Sequence, residues 1–283
     1  MHNLSEDTAG MLALTRVPSH AIDRCELTYM QRSSINYQIA ARQHADYVQA
    51  LRKLGLTVLN LPPAPALPDS TFVEDTALVL DEVAVMTSPC LPRKQEVESI
   101  HQILANYRKT ATIAVYAKLE GGDVIRDDRT LYVGQSTRTD TRGLEGLREI
   151  LSVYGYDIVP VKVSHCLHLS TAASCLDRDT FLINGDWIAP GSFAGKRLIE
   201  VPKDEPWAAN VLSIKGCIVL PSAFPRTCEL LDKLGYTICA VDVGELLKAE
   251  AGVTCMSLIF RVAGSGDRLS TTEAQLAYES AIR

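Results

Sequence analysis

Two patterns of apolar and polar positions alternate along the 283 residues. The first is a short hairpin, in which two β-favouring apolar runs flank a charged or glycine-containing turn. It occurs in TALVLDEVAVMTS from Thr76, DVIRDDRTLYVGQS from Asp123, SCLDRDTFLING from Ser174 and NVLSIKGCIVLPS from Asn210. A fifth stretch, MSLIFRVAGSG from Met256, offers one clear strand before its glycines.

The second pattern is an amphipathic helix, often closed by glycine, followed by a β-branched strand. Ile39, Tyr47, Val48, Leu51 and Leu54 precede Gly55 and LTVLNLP. Val97, Ile100, Ile103, Leu104 and Tyr107 precede TIAVYA. Leu144, Leu147, Ile150, Leu151 and Tyr154 precede Gly155 and YDIVPVKV. Leu230, Leu231 and Leu234 precede Gly235 and YTICAVDV. The segment from Phe181 to Val201 matches least well, with room only for a short helix from Ser192 to Arg197.

Hairpin, helix and strand therefore recur as a unit, and recurrence at a period of tens of residues marks a repeat architecture. No Gly-, Pro- or Ser-rich linker divides the units, and LPPAPALPD is only a short connection. Residues 1–283 are read as one α/β domain of quasi-equivalent blades. Blades set around an axis would bury helices on the outside and bring strand ends to a central site.

Composition narrows the function. The formal net charge is −6, which speaks against nucleic acid or an anionic membrane as partner, since both favour a basic face. No apolar run approaches the ~18 residues that span a bilayer. The first twenty residues lack the basic flank and apolar core of a secretory signal, so a cytoplasmic location is expected. In that reducing compartment the eight cysteines should be free thiols, and no Cys-x-x-Cys spacing suggests a zinc knuckle or redox pair.

Taken singly, the polar candidates have ordinary readings. Cys255 in AGVTCMSLIF would be one more buried thiol. His168 in LHLS would be a satisfied strand histidine, Arg93 in LPRKQEV a solvated helix-start charge, and EGGD a turn. FVED, from Phe72 to Asp75, reads equally as a strand end at a site or as a charged loop. His165, Cys166 and His168 would alternate faces in a strand and so could not share one ion; no metal and no cofactor are expected.

Together these segments say more. FVEDTALV, LEGGDV, VGQSTRT, LHLS and GVTCMSL stand in the order and near the spacing of the dimethylarginine dimethylaminohydrolases, which the chain resembles from about Leu27 to Phe260. LPDSTFVED, the ARQHADYVQALR helix and WAANVLSI with Asn210 belong to the same likeness. The resemblance implies the five-bladed α/β propeller of ββαβ repeats (the pentein fold) and a hydrolase of guanidino compounds. Its substrate would be an Nω-methylated arginine, its products citrulline and a methylamine, and its intermediate a covalent cysteine thiouronium.

The same resemblance implies roles. Cys255 is the nucleophile, the thiolate being suited to an electron-rich guanidinium carbon. Glu120 joins it in the catalytic set, and His168 protonates the leaving amine and then activates water. Asp75 and Glu120, with Glu74 beside them, hold the planar cation by paired hydrogen bonds. Arg93 and Arg138 receive the substrate carboxylate. Asp69 and the backbone carbonyls near Leu27 and Ala249 receive the α-ammonium. Cys255 is expected to be protonated until the cation binds. Where family members carry a bulkier residue and a lysine, this chain has Ala249 and Ser170.

The partner expected is thus a small guanidino amino acid, and a homodimer is left open. Unmethylated arginine, as in an arginine deiminase, is the alternative substrate, because one or two methyls change binding by only ~1–3 kcal/mol. A non-catalytic propeller would lack the matched cysteine, histidine and carboxylates. Residues 263–283, with a possible capped helix at STTEAQLAYESAIR, form an extension of unassigned role.

Overall fold

The computed structural model describes residues 10–262. Its fifteen strands form five three-stranded sheets, one per blade. The strands are β1 (Met11–Arg16), β2 (Thr57–Leu61), β3 (Ala77–Val79), β4 (Val83–Met86), β5 (Lys109–Thr112), β6 (Val124–Asp127), β7 (Thr130–Gln135) and β8 (Asp157–Lys162). The second half adds β9 (Ala173–Asp177), β10 (Thr180–Ile183), β11 (Arg197–Glu200), β12 (Leu212–Ile214), β13 (Cys217–Pro221), β14 (Thr237–Val241) and β15 (Leu258–Arg261).

Every blade has the same wiring. An inner strand pairs antiparallel with a middle strand, which pairs parallel with an outer one, as in β3–β4–β5 and β6–β7–β8. Inner strands touch around the axis, β15 on β3, β6 on β9 and β9 on β12. This is the five-bladed α/β propeller.

The fifth hairpin explains its missing half. β15 pairs antiparallel with β1 from the other end of the chain, Leu12 opposite Phe260 and Leu14 opposite Leu258, and β1 runs parallel to β2. All six residues of β1 are buried. The ring closes through partners more than two hundred residues apart, a pairing that no local pattern announces.

Four blades carry a crossover helix: α1 (Tyr37–Lys53), α2 (Lys94–Leu104), α3 (Thr141–Leu151) and, after the single turn α4 (Leu169–Ala172), α5 (Pro225–Lys233). Asn36 caps α1 by accepting from the Ile39 amide, and Asp140 caps α3 from Gly143. Gly55, Gly155 and Gly235 follow with φ of +90°, +70° and +91°, the left-handed stop expected of them. Each helix wedges between its own blade and the one before: α2 places Ile100, Ile103 and Leu104 on Leu12, Leu59 and Leu258.

Two local expectations shift. The strand after α2 is Lys109–Thr112, paired with Val83–Met86, not TIAVYA; Val115 and Tyr116 lie exposed beyond it. In the fourth blade only a 3-10 turn, Pro190–Ser192, stands where a short helix was expected. Aromatic rings fill the wedge instead. Phe193 stacks on Phe181 at 4.5 Å, and Tyr132 meets both at 4.8 and 5.4 Å.

No helix among the described residues is long and apolar enough to cross a membrane, and the eight cysteines are free thiols. The extension from 263 to 283 lies outside the described residues.

Candidate active site

Inner strands begin at one mouth of the ring, and each is entered through a tight segment bearing polar side chains. Val73–Thr76 leads into β3, Gly121–Asp123 into β6, His168 and α4 into β9, Asn210 into β12, and the turn at 253–256 into β15. The repeat thus delivers FVED, EGGD, LHLS, WAAN and GVTC to one place from five distant stretches of chain.

Glycine makes the approach possible. A Cβ on Gly121 would lie 2.0 Å from the Glu74 carbonyl oxygen, and one on Gly122 would lie 2.8 Å from His168 Nδ1. EGGD is a turn whose glycines let two blades touch. Its Asp123 clamps the neighbours, accepting from the Leu169 amide at 2.9 Å and the Ser136 hydroxyl at 2.6 Å.

A recess of about 340 Å³, partly open to solvent, is lined by Asp69, Phe72, Asp75, Arg93, Arg138, His168, Ala249 and Cys255 among others. Cys255 is therefore not sealed in the apolar interior. Glu120 and Glu74 stand behind this lining. Glu120 meets His168 Nε2 at 2.7 Å, and Glu74 accepts from the Thr254 hydroxyl at 2.8 Å while its amide donates to the Cys255 carbonyl. Leu27 packs, half-buried, against the apolar cluster around α1.

The charges are strongly biased. Burial alone would push His168 down, but Asp75, Glu120 and Asp123 outweigh it and hold the imidazole up at about 10, a cation at neutral pH. Burial likewise opposes ionisation of Glu120, yet its bond to His168 and the nearby Arg93 and Arg138 hold it low. Burial, then Asp75, raises Glu74 to about 7. Burial, then Glu74 and Asp75, drives the Cys255 thiol well above its ordinary range. A free Cys255 is thus held as the neutral thiol.

The two arginines differ. Arg93 is fully engaged within the protein: Nη1 on Asp75, Nε and Nη2 on Glu96 at 3.1 and 2.7 Å, and Nη2 also on the Asp69 and Phe72 carbonyls. Arg138 has weaker company, Cys90 Sγ at 2.8 Å and Thr28 Oγ1 at 3.2 Å, with Glu120 at 3.5 Å. Asp69 accepts the Glu26 amide on both oxygens at 3.2 Å, and burial raises it to about 6.

The expected strand geometry around His168 does not hold. Residues 165–168 bend, and His165 is exposed with φ +63°. Cys166 is buried, its thiol donating to the His168 carbonyl at 3.4 Å. The cluster that does form, Asp75, Glu120 and His168, has its ligand atoms within 4.8 Å of one another. Arg93 on Asp75 and the imidazolium on Glu120 already balance that charge.

Three features were not read from the sequence. Glu96 pairs Arg93 from three positions along, a spacing visible in PRKQE. Glu250 gathers the amides of Thr28, Tyr29 and Met30 and so folds residues 28–30 toward the recess. It stands at φ +57°, and only its place in AEAGVTC hinted at it. Gly252 gives its amide to Cys255 Sγ at 3.3 Å.

A family model described as N,N dimethylarginine dimethylhydrolase, eukaryotic, matches residues 16–260. The N(G),N(G)-dimethylarginine dimethylaminohydrolase of Pseudomonas aeruginosa is 32% identical over 237 residues, 83% of this chain and 93% of that protein. The enzyme of the same name from Streptomyces coelicolor is 33% identical, covering 88% and 96%. The structure of a variant of the Pseudomonas aeruginosa enzyme complexed with citrulline superposes with a TM-score of 0.84 at 30% identity, over 88% of this chain and 98% of that one.

Proposed function

This chain belongs to the dimethylarginine dimethylaminohydrolase family, and on that premise we propose that it converts Nω-methylated L-arginine and water to L-citrulline and a methylamine at Cys255. The observation that carries the assignment of residues is one recess holding a neutral thiol, a cationic imidazole and several buried carboxylates. A planar guanidinium is a cation that such carboxylates bind by paired hydrogen bonds.

Asp75 and Glu120, with Glu74 beside them, hold the guanidinium. Its positive charge offsets the carboxylates that keep Cys255 protonated, so substrate binding and thiol ionisation favour each other. The thiolate then attacks the central carbon. His168, charged at neutral pH, gives its proton to the departing amine, and the neutral imidazole takes one from the water that opens the thiouronium. Arg138, hydrogen-bonded to an uncharged thiol and a hydroxyl and paired with Glu120 at 3.5 Å, exchanges the thiol and hydroxyl for the substrate carboxylate, while Arg93 adds charge from behind. Asp69, with the backbone at Leu27 and Ala249, receives the α-ammonium.

Citrulline formation from arginine, monomethylarginine and asymmetric dimethylarginine, measured side by side, tests the proposal. Turnover of the methylated substrates that disappears in Cys255→Ser is the expected outcome. Absence of citrulline from all three overturns the reaction; full rate in the serine variant overturns the nucleophile. An excess of turnover on arginine would move the chain to the deiminase reading.

A further inference from the structure

We infer that Asn210 and Thr254 form a one-way hydrogen-bond relay that fixes which oxygen of Glu74 takes up a proton, making both positioning residues for the reaction proposed above. The argument rests on the directions of the bonds. Asn210 Oδ1 accepts the Thr254 amide at 3.0 Å, and Nδ2 donates to the Ser170 carbonyl at 2.9 Å. One backbone partner can only donate and the other can only accept, so the orientation of this side-chain amide is not free.

The second bond from Asn210 Nδ2, 2.8 Å to Thr254 Oγ1, is therefore also a donation. A threonine hydroxyl has one proton, and with Asn210 donating to it that proton goes to Glu74 Oε2 at 2.8 Å. All three groups are buried or nearly so, and water cannot readily replace a lost partner. Oε2 of Glu74 is thereby held as an acceptor, and Oε1 is the oxygen left to carry a proton.

Packing holds the relay in place. A Cβ on Gly252 would lie 2.1 Å from Asn210 Oδ1, so the turn that gives its amide to Cys255 Sγ rests directly on the asparagine. The charged and titratable groups that face Glu74 are Asp75 on its own segment, His168, Cys255 and Tyr47. The Glu74 amide donates to the Cys255 carbonyl at 3.1 Å, which holds the two residues side by side, and burial raises the Glu74 carboxyl to about 7.

The relay gives the thiol proton a destination. The S–H bond of Cys255 breaks as an O–H bond forms on Glu74 Oε1, and the thiolate attacks. When the carbon–sulfur bond later breaks, the same proton returns to sulfur, the hydroxyl proton of the tetrahedral adduct passes through solvent to the released amine, and Glu74 ends ionised, as it began. Glu74 must be ionised at the start, so its titration sets the acid limb of the rate profile.

The test is the pH dependence of kcat/KM in Thr254→Val, Thr254→Ser and Asn210→Asp. Losing the donor to Oε2 disfavours the carboxylate, so the acid limb moves up by about one pH unit in Thr254→Val. Thr254→Ser restores it. Asn210→Asp turns the threonine proton away from Glu74 and moves the limb the same way. Asp69 and Asp123, also raised to about 6, bond to other segments and do not follow Thr254.

A second readout needs no turnover: the pH profile of Cys255 labelling by a 2-haloacetamidine, an amidinium-bearing alkylating agent, followed by peptide mass spectrometry. If labelling shows the shift but the wild type makes no citrulline, the relay stands and the proposed reaction falls. If citrulline forms while both limbs stay fixed in Thr254→Val, even with a lower rate at every pH, the relay is overturned and Thr254 is only structural.

Discussion

Two histidines of this molecule are equally buried, yet at neutral pH one is a cation and the other is uncharged. His168, at the mouth of the ring, is held up at about 10; His44, on the inner face of α1, is pushed down to about 4. Desolvation acts on both in the same direction. The difference lies in the neighbours, since His168 has three carboxylates around it while His44 sits among Ala40, Tyr47, Val48 and Leu51. Its Nε2 finds no hydrogen-bond partner among the described residues. Burial is thus not what charges an active-site histidine. Convergence of acidic groups from separate blades does it, and the same convergence prepares a place for a cationic substrate.

The largest effect should come from breaking that convergence. Glu120→Gln keeps the shape of the site but removes the carboxylate bonded to His168 Nε2. The imidazole then titrates well below the wild-type value, and loss of the general acid lowers kcat about 10²–10⁴-fold. Imidazole titration by NMR and citrulline release measure the two. A raised histidine pKa stabilises the fold fully below the unfolded value and ceases to as pH climbs from 6.5 toward 10. The wild type should therefore lose this contribution on the alkaline side, and Glu120→Gln should show a flatter decline in chemical denaturation. An unchanged kcat in Glu120→Gln would separate His168 from the proton transfer.

A smaller change sharpens the same point at the glycines. Gly122→Ala puts a methyl 2.7 Å from Asp75 Oδ1 and 2.8 Å from His168 Nδ1. Side chains rather than backbone must yield, so about 1–3 kcal/mol of stability should be lost with a drop in kcat. Thermal unfolding beside the citrulline assay reads both, and a variant unchanged in each would show that the close contact is not needed.

How far this was legible in the sequence follows from where each signal lies. The outer helices and most hairpins announce themselves, because amphipathic spacing and Gly55, Gly155 and Gly235 are local. β1 does not, since MLALTR acquires its partner only when the ring closes. Nor does the fourth blade, where Phe181, Phe193 and Tyr132 substitute for a helix in a way that only packing reveals. For the site, the resemblance proposed the residues, and the fold brings most of them to or just behind one recess: EGGD looked like a turn because it is one, and its glycines matter for what they allow to come near. Arg93 looked like a helix-start charge awaiting a ligand, yet Asp75 and Glu96 occupy it. The relay from Asn210 was out of reach, because hydrogen-bond direction between residues 44 positions apart has no trace in composition or spacing.

The smallest effect near neutral pH, and the cleanest control, belongs to His44. Its folded pKa lies below the unfolded one, so the unfolded chain binds the extra proton. Stability is unaffected above pH 6.5 and falls as pH drops from there toward 4. A shift of that size corresponds to about 3 kcal/mol at the acid end. The buried carboxyls Glu74, Asp69, Asp123 and Glu96 are raised and act in the opposite sense over part of this range, so the wild-type curve alone mixes the two. The difference between wild type and His44→Leu isolates the histidine. Leucine removes an unsatisfied ring nitrogen and has no proton to gain. The variant should match or exceed wild-type stability near neutrality, keep its kcat, and pull ahead as the medium is acidified. If the two denaturation curves stay parallel down to pH 4, His44 is charged or solvated in the fold, and the contrast with His168 is lost.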